Sequence, residues 1–267
     1  MRGNLFDINV LIGSWPFHTL RNNDADAVLR VMKRAGIGRA AVSALEALYC
    51  HPRDLPEVNA LLFERVREHP AVLHPFYAIH PGMPDALRET FRLRAECGLA
   101  GIRLYPAYHG YSLRDAKVKE YLDEISELGI PVYMTFRFED ERVHHPLAVV
   151  PPVRLGDLAE ALRQHPNLTW IVGGIRIYEI EELLAMCRHG QMYVDMSFIQ
   201  TPFRSLKRLV GLVGASRVLF GTGLPYWVPE CALLKLEKES LTEEERELIA
   251  RRNALNIMSG SDYREGR

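Results

Sequence analysis

The chain has 267 residues, enough for one large domain, and its 48% hydrophobic and 25% charged residues are the proportions of a soluble protein with a substantial core. A formal net charge of -1 provides no global attraction to nucleic acid or to an anionic membrane surface, so neither is expected as a partner. Four scattered cysteines, Cys50, Cys97, Cys187 and Cys231, include no C-x-x-C pair and indicate neither a zinc knot nor a disulfide framework.

Met1 leads directly into a strand with no cationic-then-apolar leader, and no apolar run approaches the roughly 18 residues a membrane helix needs; a cytoplasmic protein is expected. The opening strand, Leu5 to Leu11, alternates Asp7, Asn9 and Leu11 with Phe6, Ile8 and Val10, predicting one polar, ligand-facing side and one apolar side. Helical spacing follows over 24–35 and ends at Gly36. Strands are predicted at 40–45, 72–79, 100–105, 131–136, 168–173, 192–198 and 218–222. Helices are predicted between them at 56–68, 84–97, 115–128, 155–164, 180–187 and 203–213, and a charged amphipathic helix at 242–258 closes the chain. No linker or low-complexity tract interrupts the rhythm. Eight strands separated by helices predict an α/β fold, a (β/α)8 TIM barrel formed as a single domain over 1–267.

In such a barrel the active site lies at the C-terminal ends of the strands. Polar residues gather there: Asn9 with Trp15, Arg103 and Tyr105 with His109, Thr135 and Arg137 with Asp140, Arg142 and His145, then Arg176, Asp195, Ser197 and Thr222. Strand parity turns Gly101, Arg103 and Tyr105 inward together, as it does Tyr133, Thr135 and Arg137, and Tyr193, Asp195 and Ser197.

Gly101-Ile-Arg-Leu-Tyr-Pro, His109-Gly-Tyr-Ser-Leu, Leu128-Gly-Ile-Pro-Val, Asp140-Glu-Arg-Val-His-His-Pro, Phe220-Gly-Thr-Gly-Leu-Pro and Asn253-Ala occur in this order. Together they resemble the amidohydrolase-2 branch of the amidohydrolase superfamily along nearly the whole chain. The resemblance implies a barrel and, in metal-holding members, an H-x-H pair on the first strand, histidines closing the fifth and sixth strands and an aspartate closing the eighth. Carried over, these positions fall on Asn9 and Leu11, on Thr135, on Gly174 or Gly173, and on Gly223. A catalytic divalent ion needs about three imidazole or carboxylate donors, so no metal and no other cofactor is expected at the ancestral position. A hard-cation site built from Asp7 and Asp195 is the alternative.

Without metal-activated water, Arg103, Arg137, Arg142 and Arg176 could grip a carboxylate or phosphate through their planar forks. Alternatively some of them pair with Asp140, Glu139, Asp195 or Glu179 as structural salt bridges. Asp7, His145 and Arg137 are the catalytic candidates, with Asp7 or His145 as base. Asn9, Trp15, Arg103, Tyr105, His109, Thr135, Arg142, Arg176, Asp195 and Ser197 are the substrate-binding candidates.

Two functions are therefore in view. One is a metal-independent hydrolase or lyase acting on a small anionic, carboxylated compound; the other is a catalytically inactive ligand-binding or scaffold protein. An enzyme should bring an acid or base and a cationic clamp to one shared volume, whereas a retired site should be filled by side chains or crossed by internal ion pairs. A homodimer contact could use Phe198, Ile199, Pro202 and Phe203 with the 224–228 segment, which could equally roof the cavity.

Overall fold

The computed structural model describes residues 4–187, 192–199 and 204–260. Its frame is eight parallel strands, β1 (Leu5–Ile12), β2 (Ile37–Ala44), β3 (Leu73–Ala78), β4 (Gly101–Leu104), β5 (Val132–Thr135), β6 (Trp170–Gly173), β7 (Met192–Asp195) and β8 (Val218–Leu219), hydrogen-bonded in sequence order. The seam between β8 and β1 is closed by Ile8 N to Phe220 O at 2.9 Å, Gly223 N to Asn9 O at 2.8 Å and Leu11 N to Leu224 O at 2.7 Å. The eight-stranded barrel read from the sequence is the fold.

Helices α1 (Ala25–Ala35), α2 (Leu55–Val66), α3 (Ala86–Glu96), α4 (Pro106–His109), α5 (Ala116–Glu127), α6 (Leu155–Gln164), α7 (Ile177–Met186) and α8 (Ser205–Val213) cover the strands. The first shows how local chemistry sets the boundaries. Asp24 caps α1 by accepting from Ala27 N at 2.8 Å, Ala27, Val28, Val31 and Met32 are buried, and Gly36 ends the helix in the left-handed region. The predicted helix at 203–213 is found from Ser205; its first residue lies outside the described segment. Helices α4 and α9 (Pro229–Lys238) were not anticipated. The predicted tail helix is α10 (Glu243–Glu247) and α11 (Asn253–Gly260), joined by a π-helical turn at Leu248–Arg252.

Inside the barrel, Phe6, Ile8, Phe76, Tyr133, Ile171 and Leu219 form a layer that packs on Ala254, Ile257 and Met258 of α11. The tail thus plugs the end at which the strands begin, and Asn253 Nδ2 fixes it by donating to the carbonyls of Ala215 and Val218, both at 2.8 Å. Among the described residues no helix is long and apolar enough to cross a membrane.

The face assignment for β1 needs correction. Its pairing with β2 slips between Asp7 and Val10, a bulge in which three steps on β1 match two on β2. Alternation is broken there: Phe6 and Ile8 lie in the interior layer, Asn9 also points inward, and Asp7 turns to the β8 seam. The polar face predicted from strict alternation does not exist as one surface.

Candidate functional site

The strand ends carry one continuous polar network. Asp195, at the end of β7, is fully buried and accepts four hydrogen bonds: from Asn9 Nδ2 at 2.9 Å, Tyr133 OH at 2.6 Å, Ser197 Oγ at 2.6 Å and Ser197 N at 2.8 Å. The side-chain Oδ1 of Asn9 accepts from Arg103 Nη1 at 2.9 Å, and Arg103 Nε reaches Thr135 Oγ1 at 3.3 Å. The Arg103 guanidinium also lies 4.0 Å above the Tyr133 ring. Strands β1, β4, β5 and β7 are therefore cross-linked through side chains alone. Burial of so many polar groups is tolerable because the network satisfies them.

A second set of bonds closes the mouth above this network. Arg137, 4% exposed, donates both terminal nitrogens to Glu179, with Nη1 to Oε2 at 2.7 Å. Arg137 Nη1 also reaches Gly174 O at 3.2 Å, and Nε lies 3.2 Å from Glu141 Oε1 without the alignment of a hydrogen bond. Glu179 Oε2 also accepts from Arg176 N at 2.8 Å, so one carboxylate caps α7 and neutralises Arg137. Arg176 grips Glu141 and lies 3.3 Å from Asp140, which is paired with Arg142 at 2.7 Å. These contacts strap the β5–α6 loop across the barrel end.

Aromatic rings complete the roof. Trp15 packs against Phe17, Tyr49, Phe138 and Tyr226 at centroid distances of 5.0–5.7 Å. Beneath them the buried carboxylate of Glu139 accepts from Tyr226 OH at 2.6 Å and Tyr49 OH at 3.3 Å. Between roof and network remains a chamber of about 10 Å³, walled by Asn9, Arg103, Thr135, Arg137, Ser197 and Trp227 among others. That is about the room of one water molecule. Larger hollows, of about 410 Å³ beside the starts of α2 and α3 and about 480 Å³ between α3 and α5, share no residue with the network.

Of the sequence candidates, Asn9, Arg103, Thr135, Arg137 and Ser197 line this chamber together, and Asp195 lies in the network that holds Asn9 and Ser197. Tyr105 is buried beside the Arg103 guanidinium, its hydroxyl lacking an aligned hydrogen bond. Trp15 belongs to the roof and does not reach the chamber wall. Arg142 is exposed and Arg176 half-buried, both committed to the strap. His145 is half-buried on the outside, stacked on Phe17 at 4.4 Å, with Nδ1 accepting from Leu147 N at 3.2 Å. His109 is buried away from the chamber, with Nε2 donating to Ala47 O at 2.8 Å; burial pushes its pKa down to about 4. Glu179, Phe138 and Tyr133 matter more than the sequence suggested. Parity placed Tyr133 inward beside Thr135, but no spacing pattern connects Arg137 with Glu179, 42 residues away.

Asp7 sits in the β1–β8 seam, accepting from Thr222 Oγ1 at 2.6 Å, Thr222 N at 3.1 Å and Asn9 N at 3.0 Å. Burial pushes its pKa up to about 7, against the opposing pull of these donors. The folded chain therefore keeps a proton that the unfolded chain releases near pH 3.8, and this group's contribution to stability falls as pH rises from about 4 to 7 and is constant above. His74 and His109, both held down to about 4 by burial, act in the opposite sense between about pH 6.5 and 4. The Asp7→Asn variant isolates the first effect. Its unfolding free energy relative to the wild type should rise by about 3 kcal/mol from pH 4 to pH 7 in urea titrations. Parallel pH curves for the two proteins would refute this assignment.

A family model described as amidohydrolase matches residues 18–257. The chain belongs to the amidohydrolase family. None of the curated proteins compared with it matches significantly. Among solved structures, this amidohydrolase barrel is similar to 2,6-dihydroxybenzoate decarboxylase from Rhizobium, with 18% identity, a TM-score of 0.72, and 97% of this chain and 99% of that chain covered. It is also similar to 5-carboxyvanillate decarboxylase from Sphingomonas paucimobilis (12%, TM-score 0.71, 96% and 99%). A third similar structure is a probable 2-pyrone-4,6-dicarboxylic acid hydrolase from Acinetobacter baumannii with citric acid bound (12%, TM-score 0.71, 96% and 99%). At these identities the likeness concerns the fold.

The residues present do not fit the divalent ion that the family resemblance implies. Asn9 and Thr135 are neutral and already hold Arg103, and Leu11 and Gly223 offer no side-chain donor. At the sixth-strand positions the space itself is taken: a Cβ on Gly173 would lie 1.8 Å from the Tyr133 hydroxyl, and one on Gly174 would lie 1.8 Å from the Arg137 carbonyl. Among the described residues no three His, Cys, Asp or Glu side chains converge as a metal-ligating group.

Proposed function

We propose that this amidohydrolase-family barrel is catalytically retired at its mouth and serves as a non-catalytic binding or scaffold protein. One observation carries the reading: the charged and polar groups that an anionic substrate would meet are committed to internal partners around a chamber of about 10 Å³. Ordinary small-molecule sites are cavities of about 300–1,000 Å³. Admitting one here would require breaking the Arg137–Glu179 pair and moving Phe138 or Trp227. Neither base candidate reaches the chamber: His145 stacks on Phe17 outside it, and Asp7 is engaged by Thr222 and Asn9 N in the β1–β8 seam, while the Ser197 hydroxyl donates to Asp195.

A second reading has a specific observation in its favour. Two guanidiniums, those of Arg103 and Arg137, line the same chamber, which is the charge pattern of a carboxylate clamp. The similar structures include proteins whose names specify carboxylated substrates. On that reading the protein is a metal-independent hydrolase or lyase for a small carboxylated compound, active once the β5–α6 strap lifts. The two readings separate in one assay. Hydroxybenzoates and cyclic dicarboxylates are offered to the full-length protein while substrate loss and melting temperature are followed. The retired barrel gives no turnover and no melting shift attributable to the mouth; turnover that disappears in Arg103 or Arg137 variants supports the enzyme.

A further inference from the structure

We propose that the guanidinium of Arg103 occupies the place of the family's catalytic cation and is a covalently attached replacement for it. The positions at which the family resemblance puts a first-strand and a fifth-strand ligand are Asn9 and Thr135, and Arg103 holds both, through Nη1 at 2.9 Å and Nε at 3.3 Å. The guanidinium is 2% exposed, so its charge acts inside the barrel and is screened little. Asn9 relays between the two charges: its carbonyl faces the guanidinium and its amide donates to Asp195 at 2.9 Å. Tyr133 contributes twice, presenting its ring face to the cation at 4.0 Å and its hydroxyl to Asp195 at 2.6 Å.

A bound divalent ion would supply positive charge to balance Asp195 and a hub joining several strands. Arg103 supplies both from β4, with directional N–H donors in place of coordination bonds. Guanidinium and metal are mutually exclusive there. The lone pairs of residues 9 and 135 can point at an N–H or at an ion but not at both, and two cations sharing so small a space would repel strongly. Residues 9 and 135 can thus hold one cation or the other, and in this chain they hold the arginine. This inference rests on the network geometry and the family positions, and it holds whether or not the mouth turns over a substrate.

The exchange is tested by reversing it. Asn9→His/Thr135→His with Arg103 retained is expected to bind no zinc by equilibrium dialysis. Adding Arg103→Ala is expected to create a stoichiometric zinc site from the two introduced imidazoles and Asp195. Arg103→Ala alone is expected to melt about 10 °C lower than the wild type, as for a broken buried ionic network. Low-millimolar guanidinium should recover about 3 °C of that loss and leave the wild type unchanged. Stoichiometric zinc in the variant that keeps Arg103, or none in a folded triple variant, overturns the proposal. Where the triple variant does not fold, the guanidinium titration decides, and no recovery overturns it. Where Arg103→Ala cannot be purified, zinc binding to the double variant decides in the same sense.

Discussion

Arg137→Ala is expected to destabilise the protein by about 3–5 kcal/mol, because it leaves the buried Glu179 carboxylate without its cation. For a chain of this size that lowers the melting temperature by about 10 °C. Glu179→Ala should cost at least as much, since it strands the arginine and removes the side chain that accepts from Arg176 N at the start of α7. The paired replacement Arg137→Met/Glu179→Leu should recover most of the loss, since desolvating two charges offsets much of their attraction and well-packed apolar groups avoid that cost. Urea unfolding of the wild type and the three variants measures each of these differences. Single variants within about 1 kcal/mol of the wild type would show that the pair does not hold the mouth shut.

Gly174→Ala is expected to be of similar severity for a different reason. The residue has φ +76°, a region where a side chain costs about 1–2 kcal/mol. A new Cβ would also lie 1.8 Å from the Arg137 carbonyl oxygen, a backbone atom that cannot rotate away, adding about 1–3 kcal/mol of overpacking. Together these predict about 2–5 kcal/mol, read from the denaturation midpoint. The same geometry explains why a histidine cannot simply be restored here: the β5–α6 strap runs through the volume it would need. An Ala variant as stable as the wild type would mean that the strap yields easily, favouring the enzyme reading.

The barrel was legible because its evidence is local. Apolar residues switch between helical and strand spacing, and glycines such as Gly36 and Gly129 mark helix ends. The inward set on β4 and β5 was legible too, since Arg103, Tyr133, Thr135 and Arg137 follow strand parity. On β1 the same rule failed because a bulge, invisible in the order of apolar and polar residues, puts Ile8 and Asn9 inside together. What the arginines do was not legible either. Whether Arg137 clamps a ligand or Glu179 depends on a contact across 42 residues, and whether His145 faces the chamber depends on the path of a loop without regular structure. Ion-pair choice and loop direction are properties of the assembled surface, and Glu139 shows this again by meeting tyrosines from the loops after β2 and β8.

The mouth of the barrel is a closed network whose neutral acceptors suit an internal guanidinium and not a catalytic metal. The most direct measurement is turnover of hydroxybenzoates and cyclic dicarboxylates by the purified full-length protein, with metal content determined on the same sample and the assay repeated with added zinc or manganese and with chelator. The expected result is substoichiometric metal and no turnover in any condition. Stoichiometric zinc or manganese, with an activity that chelator removes and the ion restores, would contradict it.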